Sequence, residues 1–219
     1  MAERVAVITG GAGDLAQAIA AELVRQGLRV HTPGRDALDV TSAESVRDFF
    51  AALERVDLLI NNAGVREDIV CGKMSENEWD SVIAVNLRGA FLCSQAATMK
   101  MMARRSGHIV NIGSFSARFG NVGQANYAAA KAGLIGLTQS LAREMGKRNL
   151  RVNCVLPGYL ETKFTADVPE AARDRILQMH ELRAFNTVEH AARFVAFLET
   201  VPFVSGQVFQ LDSRIVPWT

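Results

Sequence analysis

A doubly wound parallel α/β sheet is what this sequence of 219 residues predicts. Three observations carry it: β-branched runs alternate with Ala/Leu-rich helical stretches, glycines fill the first turn, and no Pro/Ser-rich linker or internal repeat breaks the alternation. The length suits one large α/β domain, expected over 1–219. Apolar residues make up 49% of the chain, enough for a large core. Lys and Arg total 24 against 23 Asp and Glu, so no global charge draws the chain to nucleic acid or an anionic membrane.

The elements follow in order. Arg4 to Ile8 is a short apolar strand ending in Thr9-Gly10-Gly11-Ala12-Gly13-Asp14, a helix follows from Leu15 to Gln26, and Leu28 to His31 is a second strand. This β-loop-α-β unit sets a pyrophosphate over a helix N-terminus. Between the second strand, which ends near Thr32, and Leu38-Asp39-Val40 too few residues remain for the crossover of about a dozen that parallel neighbours need. That strip is expected to be at most a short edge segment, with the helix between strands 2 and 3 missing and the strand 3 region reduced.

Thr41 to Glu44 has capping-box spacing and opens a helix through about Leu53; Val56 to Ile60 is a buried strand closed by Asn61-Asn62-Ala63-Gly64. Ser75 and Glu78 repeat the capping signal before one long helix from about Trp79 to Arg105, stopped at Gly107. His108 to Ile112 is a strand, Ala125 to Lys147 a helix, and Arg151 to Leu156 a strand ended by Pro157-Gly158. Helices over Glu170 to Met179 and Val188 to Glu199 lead to a last strand, Gln207 to Leu211.

Three cysteines, Cys71, Cys93 and Cys154, are odd in number and far apart, which speaks against a disulfide framework or zinc site and for a reducing cytoplasm. His31, His108, His180 and His190 lack ligand spacing and read as structural or surface residues, so no metal is expected. The start runs from Met1 into Val5 too quickly for a signal peptide, and no apolar run reaches the roughly 18 residues of a membrane span.

Chemistry concentrates at Tyr127 and Lys131. If the Ala-rich stretch around them is helical, positions i and i+4 share a face, and the ammonium is expected to lower the phenol's pKa toward working pH, as suits a general acid or base. Ser114, after the strand at His108, offers a hydroxyl to a carbonyl oxygen beside that phenol. Taken singly, each of these residues reads first as an ordinary helix or turn residue. Asp14 reads as the N-cap of the helix that opens at Leu15.

Together the motifs resemble the short-chain dehydrogenase/reductase family, a Rossmann-type fold, and most of all its bacterial 3-oxoacyl-(acyl-carrier-protein) reductases. The likeness rests on Thr9-Gly10, Asp39-Val40, Asn61 to Gly64, Val85-Asn86, Ser114, Gly123 to Gly136, and Pro157-Gly158 with Glu161-Thr162. It implies a catalytic set of Asn86, Ser114, Tyr127 and Lys131. Tyr127 would donate the proton in ketone reduction, Lys131 would hold the nicotinamide ribose, Ser114 would bind the substrate oxygen, and Asn86 would anchor a relaying water.

Cofactor contacts implied by the resemblance are Gly10, Gly13, Asp14, Leu15, Arg35, Asp39, Val40, Asn62, Ala63, Gly64, Tyr127, Lys131, Pro157, Gly158 and Thr162. Gly10 matches the first glycine of the family's turn, whereas Asp14 and Ala16 replace the other two. Arg35 at the end of the second strand favours NADP(H) over NAD(H). Residues 162–186 match the substrate lid, Arg105 and Arg148 match positions that meet an acyl carrier protein, and two helices match those of a homo-oligomer, a tetramer or dimer.

The implied function is an NAD(P)H-dependent ketoreductase acting on a 3-oxoacyl thioester. The alternatives are a reductase of a small secondary alcohol, ketone or sugar, and a non-catalytic dinucleotide-binding scaffold. Asp14 and the unusual end Leu211-Asp212-Ser213-Arg214 point toward the scaffold.

Overall fold

The computed structural model describes residues 3–215. Six parallel strands form one sheet: β1 (Arg4–Ile8), β2 (Leu28–His31), β3 (Leu58–Asn61), β4 (Gly107–Ile112), β5 (Leu150–Leu156) and β6 (Val208–Gln210), in spatial order β2-β1-β3-β4-β5-β6. The helices are α1 (Asp14–Arg25), α2 (Ala43–Ala51), α3 (Glu76–Ile83), α4 (Ala90–Met102), α5 (Ser116–Phe119), α6 (Ala125–Met145), α7 (Glu170–Gln178) and α8 (Val188–Glu199).

Side-chain alternation along the strands builds two cores. Ala6, Ile8, Leu58, Ile60, Val110 and Ile112 face α1 and α8, meeting Ile19, Leu23, Ala192 and Val195. Val7, Leu59, Ile109 and Val152 face the other way, onto Phe50 of α2 and Cys93, Ala97 and Met101 of α4. Both faces are covered, which is why the strands read as continuous apolar runs. The chain reverses its winding between β1 and β3, so a crevice opens at their carboxyl ends, where open α/β sheets bind ligands.

The strip from Thr32 to Ser42 holds neither strand nor helix. Leu38 and Val40 dip instead into the core, and Val40 lies against Gly89, where a Cβ would stand 2.8 Å from its Cγ2. Four local expectations need correction. The cap of α2 is Ser42, whose hydroxyl accepts from Ser45 N, one residue along from the Thr41 box. The expected long helix is three pieces, because a wide π-helical turn over Ala84–Gly89 separates α3 from α4. The chain leaves α4 at Met102, and Arg105 takes a left-handed turn (φ 49) before Gly107 opens β4. The four-residue α5 has no counterpart in the sequence reading. The capping box of Ser75 and Glu78 is formed as expected, and among the described residues no helix is long and apolar enough to cross a membrane.

Candidate active site

The turns after β1, β3, β4 and β5 line a cavity of about 950 Å³. Two of them are stapled together. Thr9 Oγ1 accepts from Asn62 N and Ala63 N, both at 3.0 Å, and Asn62 Nδ2 donates to Thr9 O at 3.1 Å. Gly10 (φ +65) has its Cβ position 2.8 Å from Ala63 Cα, so a side chain there would push the turns apart. Gly13 precedes α1, where a Cβ would meet Gly10 O at 3.4 Å, and no side chain caps that helix.

Asp14 is therefore not the cap. It is the first residue of α1, where its charge suits the helix dipole. Its Oδ2 accepts from Lys163 N at 2.9 Å, across 149 residues of sequence, so the carboxylate is tied to the start of the lid.

Helix α6 brings Tyr127 and Lys131 into the cavity wall with Ser114, which follows β4. Lys131 is 4% exposed; its Nζ donates to Ile112 O at 2.8 Å and lies 5.6 Å from the Tyr127 ring centroid. The phenol's pKa runs opposite to the sequence expectation. Burial pushes Tyr127 up to about 12, with the Ser114 hydroxyl and the Arg66 charge pulling only partly back. Burial likewise pulls Lys131 down to about 8. Each group is desolvated more than it is helped by the other, so the phenol stays protonated across the neutral range.

Asn86 lies within the π-helical turn and donates to Val65 O at 2.8 Å and Val82 O at 2.9 Å. Its Oδ1 is buried without a partner. A Cβ on Gly64 would stand 2.8 Å from that oxygen and 3.7 Å from Lys131 Nζ, so Gly64, Asn86 and Lys131 share one small space.

Gly10, Gly13, Asp14, Leu15, Asn62, Ala63, Gly64, Pro157, Gly158 and Thr162 all line the cavity, whereas Arg35, Asp39, Val40, Asn86, Arg105 and Arg148 do not. Arg35 is exposed on the turn after β2, and Asp39 Oδ1 is taken by Thr41, which holds its pKa low. Arg105, whose guanidinium donates to Lys147 O, and Arg148 sit before β4 and β5, at the sheet edge opposite the cavity.

The lid segment packs over the crevice. Phe164 lies 6.4 Å from the Tyr127 ring, with the Arg66 guanidinium over its other side. Arg66, Phe115, Tyr159 and Met179, which the sequence did not single out, also line the cavity, as does Arg214, which it marked only as part of an unusual end. Arg66 stands two residues after Gly64 and Phe115 directly after Ser114, the one signal that proximity to a motif offered.

This is a dinucleotide-type crevice with a phenol, an amine and a hydroxyl on its wall. The short chain dehydrogenase family matches residues 35–173. The 3-oxoacyl-(acyl-carrier-protein) reductase FabG of Thermotoga maritima is 38% identical over 94% of this chain and 86% of that protein, and FabG of Aquifex aeolicus is 38% identical over 94% and 85%. The crystal structure of gox2181 superposes with a TM-score of 0.91 at 28% identity, covering 97% of this chain and 95% of that one. The chain belongs to the short chain dehydrogenase family and is an oxidoreductase that works with a nicotinamide dinucleotide. The residues present fit that group: side-chain-free turns at Gly10 and Gly13, an uncapped α1, and the orphaned Asn86 Oδ1 beside Lys131.

Proposed function

We propose that this protein reduces the 3-oxo group of an acyl thioester, carried on an acyl carrier protein, to the 3-hydroxyacyl product. The observation that carries the reading is the convergence of Ser114, Tyr127 and Lys131 on one cavity wall, in a chain whose relatives are carrier-protein ketoreductases. When bound, the reduced nicotinamide supplies a hydride.

What the chain supplies is the rest. As the carbonyl is reduced, negative charge gathers on its oxygen, and the Ser114 hydroxyl and Tyr127 phenol stabilise that charge more than the neutral ketone. Tyr127, kept protonated by burial, gives the proton. Lys131 and Asn86, which share one small space beside Gly64, would hold the nicotinamide ribose and a water that relays protons toward the phenol. Gly10, Gly13, Leu15, Asn62, Ala63, Pro157, Gly158 and Thr162 form the dinucleotide cradle.

The finer readings belong with this one. Arg35 selects NADPH by meeting a 2′-phosphate beyond β2, with Asp39 and Val40 toward the adenosine end. A carrier protein docks on Arg105 and Arg148 of a cytoplasmic homo-oligomer. The whole chain acts as one domain under a lid over 162–186.

The test is NADPH oxidation with a 3-oxoacyl thioester, NADH being run beside it. Tyr127→Phe is expected to lower kcat by 10²-fold to 10⁴-fold, on the order expected for a general acid, while fluorescence titration still shows dinucleotide binding. Full turnover by that variant would overturn the mechanism.

A further inference from the structure

The segment after β6 arrives at the carboxyl edge of the sheet, where Leu211 N donates to Leu156 O at 2.9 Å. It comes to rest beside the Pro157-Gly158 turn. Gly158, at φ +88, makes room there, since a Cβ on it would stand 3.0 Å from the Cβ of Asp212.

The Asp212 side chain is wholly buried and takes Arg214 on one oxygen, with Nε at 2.9 Å and Nη2 at 2.5 Å. Its other oxygen accepts from Gln210 Nε2 and Arg214 N. The guanidinium lies 3.7 Å over the ring of Phe115, the residue after Ser114. A bridge between Arg214 and His180 ties the segment to the end of α7.

Arg214 is thus a fixed side chain, 7% exposed, lining the cavity that Ser114 and Tyr127 also line. Its fork is used on one side only. Among the described residues Nη1 has no hydrogen-bond partner.

We propose that Arg214 determines substrate specificity: Nη1 donates to the thioester carbonyl oxygen of a 3-oxoacyl substrate whose 3-oxo group is held by Ser114 and Tyr127. The proposal rests on the ketoreductase reading above. A 3-oxoacyl thioester carries two acceptor oxygens separated by one methylene. Phe115 and Phe119 line the cavity beside Ser114. Ser116, Asn121 and Gln124 line it too but are hydrogen-bonded to one another, whereas Arg214, stacked on Phe115, is a charged donor. Because Asp212 cancels the guanidinium's charge, the pair favours a neutral acceptor over a free anion. A buried, fixed donor also rejects a substrate that lacks the acceptor, because binding would then leave the donor unpaired.

The experiment compares kcat/KM for a 3-oxoacyl thioester with that for a ketone of equal length lacking the second carbonyl. It uses the wild type and the double variant Asp212→Asn with Arg214→Met, which keeps the buried cluster neutral. The thioester-to-ketone ratio is expected to fall about tenfold to a hundredfold, the worth of one hydrogen bond to a charged donor. Asp212→Asn with Arg214→Gln, which restores an N–H donor, is expected to recover part of it. NADPH titration reports that each variant is folded.

A structural role for the segment would lower both substrates together, and an unmoved ratio overturns the assignment of Arg214. A wild type that binds NADPH yet turns over no 3-oxoacyl thioester overturns the ketoreductase reading, and the role of Arg214 with it.

Discussion

At Lys131 the fold holds an amine where water scarcely reaches, and the pKa drops from 10.5 to about 8. The sign of the stability effect follows. Below the folded value both states carry the proton, and the cost of burying the charge is fully present. Between the folded and unfolded values the unfolded chain keeps a proton that the native chain releases, so stability rises with pH across that window. Lys131→Met is therefore expected to be more stable than wild type near pH 7, less whatever is lost with the bond to Ile112 O. That advantage should shrink by something on the order of 3 kcal/mol as pH approaches the unfolded value. Urea unfolding at the two pH values checks it; a gap that does not move with pH would remove the burial account. The spacing of Tyr127 and Lys131 was legible because i and i+4 is a local helix property. The direction of the phenol's shift was not, because desolvation depends on what the rest of the chain packs around the ring.

At the scale of elements, the turn between β1 and α1 fits because of where its glycines stand. A Cβ on Gly11 would lie 2.2 Å from Thr32 O and 2.4 Å from Thr32 C, backbone atoms at the end of β2 that cannot swing aside. A Cβ on Gly13 meets only Gly10 O at 3.4 Å. Gly11→Ala is expected to destabilise the fold by about 1–3 kcal/mol, as overpacking does, and to weaken NADPH binding with it. Gly13→Ala should cost markedly less stability. Thermal melts of the two variants decide, and equal losses would refute the close approach. Strands were legible as apolar runs bounded by turn residues, and the absence of a helix between Thr32 and Ser42 by counting residues against the length of a crossover. The π-helical turn was not, since the apolar periodicity of α3 and α4 runs on through Ala84–Gly89 while Asn86 hydrogen-bonds to Val82 O. Likewise α5 is too short to show a period, and the α2 cap slipped by one residue because Thr41 and Ser42 both have capping hydroxyls.

Across the whole molecule the two ends of the sheet divide the labour: carboxyl ends carry the cavity and amino ends carry buried charge. That division could not be read from Arg105 and Arg148 in sequence, since only strand direction reveals that they lie opposite the cavity. At the amino ends, Glu199 at the end of α8 gathers Arg4 of β1, His108 of β4 and Arg151 of β5. His108 Nδ1 lies 2.6 Å from Glu199 Oε2, and Asn153 Nδ2 lies 3.0 Å from Nε2. A neutral imidazole that donates to the carboxylate and accepts from the amide satisfies both contacts, in keeping with a His108 pKa lowered chiefly by burial. The Glu199 pKa is also lowered, its hydrogen bond to His108 and the two guanidiniums outweighing burial. Both shifts act in the same direction on stability. As pH falls below the unfolded histidine value, the unfolded chain takes a proton that His108 refuses, and further down it protonates the glutamate that the native state keeps ionised. Wild type should thus lose stability progressively on acidification from about pH 6.5. Glu199→Gln strips the counter-charge from Arg151, whose side chain is 14% exposed; breaking a buried pair in this way should cost roughly 3 kcal/mol at neutral pH, and it should remove the glutamate part of the acid limb while leaving the histidine part, since Glu199 is what holds the His108 pKa up against burial. Because the cluster sits at the far end of the sheet, turnover per folded molecule should stay at the wild-type level. Chemical denaturation across pH, with activity normalised to folded protein, measures both quantities. A variant that keeps the wild-type loss of stability across the carboxylate range would show that Glu199 does not set that part of the limb.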